Sequence, residues 1–236
     1  MGTYITEGIV LQKTDYSETS LILKVLTENK GLQSFIFQGA KRKNKKGQLV
    51  SPLSVLSIAY FQRKDSDLAK ITSVELALVY KNIPFNPIKS SVIFFLNELL
   101  QKTIKEEESN PNLYQFIKNS ILVLDTQTNV SNFPIKFMLE LLKYLGYYPM
   151  IEKNAAYFDF LNGKLIKNKP NHPNYLDSEY TAYLIIILES KLTDELTSIP
   201  SKIRKKLLQG ILDYYKTVLG DFKNLKSLDV LEAILH

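Results

Sequence analysis

A single change of hydrophobic period divides this chain. Up to about Leu78 the apolar residues come in short, imperfectly alternating runs, and from Ile88 onward they recur every three or four positions. Between the two lies Asn82-Ile83-Pro84-Phe85-Asn86-Pro87, whose two prolines fix φ and lack an N–H, so that neither a central strand nor a helix interior runs through it. A chain punctuated in this way folds as a strand-built unit followed by a helix-built one. We place the boundary after residue 80, giving domains 1–80 and 81–236.

In the first part the pattern predicts five strands: Thr3 to Lys13, Ser20 to Thr27, Gly31 to Gln38, Ser54 to Gln62 and Ala69 to Ala77. Each is rich in β-branched, aromatic or leucine residues and is bounded by turn formers such as Asp15, Asn29-Lys30-Gly31, Gly47 and Lys64-Asp65-Ser66-Asp67. Five short strands of this kind suit a small antiparallel barrel of the oligonucleotide/oligosaccharide-binding (OB) type. Beyond the prolines, amphipathic periodicity predicts helices over Ile88 to Lys105, Pro111 to Thr126, Phe133 to Leu145, Ser178 to Leu188, Thr193 to Leu196, Ser201 to Leu219 and Ser227 to Leu235. The stretch 148–173 is an irregular lobe, and in it two apolar arms around Asn162-Gly163 read as a hairpin, because Asn-Gly accepts the positive φ of a type I′ turn. The fold class is therefore α+β, a five-stranded OB barrel followed by an α-helical domain.

Several chemistries are excluded. The chain has no cysteine, hence no disulfide, thiolate metal site or thiol nucleophile, and its two histidines, His172 and His236, are too far apart in sequence to suggest a zinc site. No phosphate-cradling Gly-rich motif and no Gly-x-Ser-x-Gly elbow occurs. The run Glu106-Glu107-Glu108 points its carboxylates in different directions along a helix end and suits a solvated face better than a metal site. No enzyme activity, metal or cofactor is expected. The N-terminus lacks a secretory pattern, and the longest apolar runs, Val92 to Leu96 and Tyr183 to Leu188, are far shorter than the 20 or so residues a membrane span needs. No membrane role is expected, and the location expected is cytoplasmic.

The charge points to a partner. The net charge is +6, and the densest cationic run, Lys41-Arg42-Lys43-Asn44-Lys45-Lys46, directly follows the third predicted strand. Such a loop grips a polyanion by displacing the counterions condensed on its phosphates. Lys13, Tyr16, Lys24, Lys41, Arg42, Lys43, Lys45, Lys46 and Lys70 supply cations and an aromatic face to a nucleic-acid-binding barrel. Phe35 and Phe37 are weaker candidates, since alternation sends part of the strand aromatics into the core. In the helical part Lys202, Arg204, Lys205 and Lys206, with Lys216, Lys223 and Lys226, give a second positive surface.

The ordered landmarks resemble the bacterial recombination mediator family RecO. They are Glu7-Gly8-Ile9-Val10-Leu11, Tyr16-Ser17-Glu18-Thr19-Ser20-Leu21-Ile22-Leu23, Leu26-Thr27-Glu28-Asn29-Lys30-Gly31 and Gln38-Gly39-Ala40-Lys41-Arg42-Lys43 in the first part. Asn97-Glu98-Leu99-Leu100, Phe137 to Leu142 leading to Leu145-Gly146-Tyr147, and Leu219-Gly220 with Leu225-Lys226-Ser227 follow in the second. The resemblance implies a protein that binds single- and double-stranded DNA, anneals strands coated by single-stranded DNA-binding protein, and works with RecR to load RecA in recombinational repair, associated with the nucleoid. It also implies that the acidic, apolar-tipped tail of single-stranded DNA-binding protein docks on the helical domain, where Lys136, Leu139, Glu140 and Lys143 offer cations beside apolar surface. The same helix also suits a purely structural role, with Phe137, Leu141 and Leu145 in the core and Lys136 and Lys143 merely solvated.

One departure is plain. Many relatives carry a four-cysteine zinc site just after the Leu-Gly-Tyr landmark, where this chain has Glu152-Lys153-Asn154-Ala155-Ala156-Tyr157. The lobe must then be held by packing, through Tyr157, Phe158, Phe160, Leu165 and Ile166. Two other functions fit the same residues: an adaptor that joins RecR to single-stranded DNA-binding protein without binding DNA, and a barrel directed at RNA.

Overall fold

The computed structural model of the chain describes residues 3–42, 46–62, 68–105, 109–194 and 199–235. Lys43, Lys45, the Glu106 to Glu108 run, the whole Lys64 to Asp67 turn, the end of the helix expected at Thr193 to Leu196, and His236 lie outside them. At the start of that last segment, Leu192 and Thr193 form a turn.

The five expected strands form as β1 (Thr3–Asp15), β2 (Leu21–Thr27), β3 (Gly31–Phe37), β4 (Val55–Phe61) and β5 (Leu68–Leu76). They close into a barrel in the order β1-β2-β3-β5-β4. Four pairings are antiparallel and the closing one, β3 with β5, is parallel. An odd number of strands cannot alternate direction all the way round a closed barrel, so one like-directed pair is unavoidable in the expected, otherwise antiparallel, five-stranded barrel.

β1 is long because it serves two neighbours: Thr3 to Ile9 pair with β4, and Gly8 to Asp15 with β2. Where both pairings overlap stands Gly8, and a Cβ there would meet Val25 Cγ1 at 2.3 Å and the Leu26 carbonyl oxygen at 3.3 Å. The barrel core is filled by Leu21, Leu23 and Val25 of β2, Phe35 and Phe37 of β3, Leu56, Ile58 and Tyr60 of β4, and Ala69, Ile71 and Val74 of β5. Ile71 and Val74 are three apart yet both face inward, because the β4–β5 register slips at Thr72, whose hydroxyl donates to the Ala59 carbonyl at 3.0 Å. A bulge of this kind hides the strand period from the sequence.

Six helices follow among the described residues: α1 (Pro87–Thr103), α2 (Pro111–Thr126), α3 (Phe133–Leu145), α4 (Ser178–Glu189), α5 (Ser201–Leu219) and α6 (Leu228–Leu235). Pro87 opens α1, and the Asn86 side chain accepts from the Ile88 and Lys89 N–H groups, so the second proline of the dividing motif starts the helix it was expected to precede. Between α3 and α4 a small sheet of order β6-β8-β7-β9 contains β6 (Met150–Ile151), β7 (Tyr157–Asp159), β8 (Lys164–Ile166) and β9 (Tyr175–Leu176). The chain separates into two compact units, Met1–Phe85 with Leu96–Asp125, and Asn86–Phe95 with Thr126–His236.

Within the first unit, α2 is fastened to the barrel through Glu7. Its carboxylate accepts from the Tyr114 hydroxyl and from the Lys118 ammonium, each at 2.6 Å. Burial pushes the Glu7 carboxyl up, but the hydrogen bonds from Lys118 and Tyr114 and the charge of Lys118 outweigh it and hold the group below the ordinary 4.5. The sign follows from linkage: the contribution is fully present above that ordinary value and is lost as pH falls through the lower folded-state value. Glu7→Gln is therefore expected to lower the thermal midpoint at neutral pH, with the gap to the unaltered protein closing in acid. A gap that stays constant across a pH series of thermal melts would contradict the assignment.

Candidate nucleic-acid interface

The exposed cations of the barrel are placed by two stitched loops. In the β1–β2 loop the Tyr16 N–H donates to the Ser20 carbonyl at 3.0 Å, and the Ser17 hydroxyl accepts from the Ser20 N–H at 3.2 Å, leaving the Tyr16 ring in solvent. The turn after β3 joins this loop, since the Lys41 N–H donates to the Thr19 carbonyl at 3.1 Å. Gly39 adopts φ +69°, which lets the turn close with the Arg42 N–H on the Gly39 carbonyl. Lys41 pairs with Asp15 at 2.9 Å and Lys46 with Glu75 at 3.4 Å, all four side chains being well exposed. Open pairs of this kind contribute about 0 to 1 kcal/mol, so a phosphate competes readily for either ammonium. Lys13 donates to the Val50 carbonyl at 3.1 Å.

Two further candidates stand on the barrel's outer surface. Lys24 of β2 pairs in register with Gln12 of β1 and Ser34 of β3, and Lys70 of β5 pairs with Ile36 of β3 and Phe61 of β4. Lys24, Gln12 and Ser34 line a groove of about 300 Å³ together with Leu11, Leu32, Gln101, Ile104 and Lys105. Phe35 and Phe37 are each 1 % exposed and fill the core, so neither offers a face to a base.

On α5, Lys202, Lys205 and Lys206 are exposed, with Lys205 paired to Glu232 at 2.8 Å. Arg204 differs. It shares the inward face of α5 with Ile203, Leu207 and Leu208, and its guanidinium donates to the carbonyls of Ile199 and Leu235, tying α6 to α5. Desolvation holds its pKa below the ordinary arginine value.

The tail-docking candidates on α3 are divided in the same way. Lys136 is 4 % exposed and its ammonium donates to the carbonyls of Lys191 and Asp194, while Leu139 is core. Desolvation lowers the Lys136 pKa, against the opposing charges of Asp194 and Glu140. What reaches the surface is Lys143, paired with Glu140 at 2.7 Å and lying 4.7 Å from the Tyr148 ring centroid. In both helices a long side chain turns its charge inward to backbone carbonyls, of which those of Lys191, Asp194 and Leu235 come from a distant stretch of chain.

The lobe does not fit zinc. Glu152 to Tyr157 present one carboxylate and no thiolate or imidazole, and among the described residues no group of three or more His, Asp or Glu converges. Asp159 serves instead as a local hub. Its buried carboxylate accepts from the Leu161 and Asn162 N–H groups at 2.9 and 3.2 Å and from the Asn162 side chain at 2.7 Å, with His172 Nε2 3.3 Å away. Burial raises the Asp159 pKa, but these hydrogen bonds and the nearby imidazole outweigh it and hold the group below its ordinary value. Beneath it Phe158 packs edge-on to Phe160 and Tyr214, with ring centroids 5.2 and 4.8 Å apart. The β7–β8 hairpin forms as expected, but Asp159 holds a four-residue turn, 160–163, rather than a two-residue Asn-Gly turn.

Comparison with known proteins adds the family. The model for the N terminal of recombination protein O matches residues 1–80, and the model for its C terminal matches residues 84–229. DNA repair protein RecO of Bacteroides fragilis is 33 % identical over 236 residues, covering 97 % of this chain and 98 % of the relative. The protein of the same name from Flavobacterium johnsoniae is 31 % identical over 233 residues with the same coverage, and that of Porphyromonas gingivalis is 27 % identical over 242 residues, covering 98 % of each.

Proposed function

The chain belongs to the RecO family, with a role in DNA repair and recombination, and from that premise we propose that it is a DNA-binding mediator that anneals complementary strands. In this reading it works with RecR to help load RecA onto single strands coated by single-stranded DNA-binding protein, without covalent chemistry, in the bacterial cytoplasm. The observation that carries it is the cluster of exposed cations, Lys41, Arg42 and Lys46, on two stitched loops of an OB barrel, with Lys24 and Lys70 on the outer strands. Residues 1–80 are the DNA-binding domain in this reading. Residues 81–236 carry a second basic face at Lys202, Lys205 and Lys206, and Lys143 beside Tyr148 marks the region that receives the acidic tail. Annealing brings two polyanions together, and cations on both parts of the chain lower that repulsion.

A second reading, an adaptor without DNA affinity, is favoured by the carboxylates that already pair Lys41 and Lys46. Annealing of complementary strands pre-coated with single-stranded DNA-binding protein separates the two. The mediator accelerates duplex formation at low salt and loses that acceleration as salt rises. An adaptor captures the coated strand yet leaves the annealing rate unchanged at every salt concentration.

A further inference from the structure

Where β1 begins, Tyr4 lies in register with Tyr60 of β4, and their rings stack with centroids 5.6 Å apart and planes 30° apart. Tyr60 belongs to the core, 4 % exposed and edge-on to Phe35 at 5.2 Å, whereas Tyr4 is 49 % exposed. The β2–β3 turn adds a cation. Lys30 places Nζ 5.4 Å from the Tyr4 ring centroid and 5.7 Å from that of Tyr60, and donates to the Tyr60 hydroxyl at 3.2 Å. The turn itself is braced, since the Thr27 hydroxyl accepts the Lys30 N–H at 3.2 Å and donates to the Gly31 carbonyl at 2.9 Å, with Gly31 at φ +63°.

Two properties set this cluster apart. The described partners of Lys30 are a neutral hydroxyl and two ring faces, and among the described residues no carboxylate offsets its charge as Asp15 and Glu75 offset those of Lys41 and Lys46. Among the described residues, an arriving phosphate has no anion to displace. The ordering of a lysine and an aromatic ring is also met in advance by the fold, which removes a cost that a mobile side chain incurs on binding. A half-exposed ring backed by a second ring, with a fixed cation beside it, is the arrangement that takes a base on its face and the adjoining phosphate on its ammonium.

We propose that Tyr4 and Lys30, backed by Tyr60, form a nucleotide-binding platform for single-stranded DNA at the end of the barrel where β1 begins. The proposal rests on the reading of the barrel as DNA-binding. Its test is fluorescence anisotropy of a labelled single-stranded 30-mer, with bases and in an abasic version, against the full chain and three variants. Tyr4→Leu keeps an apolar cover but removes the ring, and is expected to weaken binding of the base-bearing strand about 5- to 150-fold, the equivalent of one lost stack. Tyr4→Phe restores it, and Lys30→Gln makes the log–log salt slope shallower by about 0.7.

Should Tyr4→Leu fail to fold, the unaltered chain still decides, because the platform requires it to prefer the base-bearing strand over the abasic one. Salt-sensitive binding with no such preference, or a folded Tyr4→Leu that binds like the unaltered chain, overturns the platform and leaves the barrel reading standing. Failure of the unaltered chain to bind either strand overturns both.

Discussion

Asp125→Ala is expected to destabilise the first unit by roughly 3 to 5 kcal/mol. Asp125 closes α2 and is buried, and its carboxylate accepts from the backbone N–H groups of Lys81, Asn82 and Ile83, each at 2.8 Å. The Asn82 side chain returns a bond to the Asp125 carbonyl at 2.8 Å. These contacts fasten the residues that lead into the 3₁₀ turn Ile83–Phe85, whose first N–H groups have no partner within a helix or strand ladder. Stranding a buried donor costs about 1 to 3 kcal/mol, and water recovers part of that for Lys81 and Asn82, which are exposed, but not for buried Ile83. Asp125→Asn retains one acceptor oxygen and turns an NH2 toward the same donors, so it is expected to fall between. Denaturant midpoints and amide exchange at residues 81–83 measure the effect. A midpoint equal to that of the unaltered chain, with exchange at Ile83 still slow, would contradict it.

The largest effect on binding is expected from Lys41, Arg42, Lys43, Lys45 and Lys46 changed together to Ala, which lowers the net charge from +6 to +1. Each cation that meets a phosphate contributes about 0.7 to the log–log salt slope on a single strand. Five such contacts give a slope near −3.5, or about a hundredfold loss of affinity between 50 and 200 mM salt. The substitution also frees the carboxylates of Asp15 and Glu75, which pair with Lys41 and Lys46, to repel the strand. We expect at least a tenfold loss at 50 mM salt, together with the shallower slope. Unchanged binding would move the principal contact to Lys202, Lys205 and Lys206 on α5.

Much of the fold is legible in the sequence because it rests on local pattern. The helical period over Pro111–Thr126, Phe133–Leu145 and Ser201–Leu219 matches α2, α3 and α5 residue for residue, since apolar spacing, a proline at the first turn and Gly146 or Gly220 beyond the end are all local signals. The two-residue strands β6 and β9 are not legible. Met150–Ile151 and Tyr175–Leu176 are too short to show a period, and exist because the β7–β8 hairpin offers them a ladder. The Asn162-Gly163 turn is legible as a turn but not in its length, because Asp159 lies just outside the dipeptide and captures two N–H groups.

The candidate site divides along similar lines. The exposed cations after β3 follow from a strand ending in a polar run. The inward turns of Lys136 and Arg204 do not, because the carbonyls they seek lie 55 and 31 residues further along the chain. The cluster of Tyr4, Lys30 and Tyr60 is hidden for the same reason: it depends on the β1–β4 register and on a turn that returns Lys30 to Tyr60, 30 residues away in sequence.

The decisive measurement is the affinity of the unaltered chain for a labelled single-stranded 30-mer across a salt series, followed by anisotropy beside the five-alanine variant. A steep fall of log affinity with log salt, clearly flattened in the variant, is the expected result for a protein that grips phosphates with the loop after β3. Affinity that is absent at low salt, or insensitive to salt in both proteins, would contradict a DNA-binding mediator and favour the adaptor.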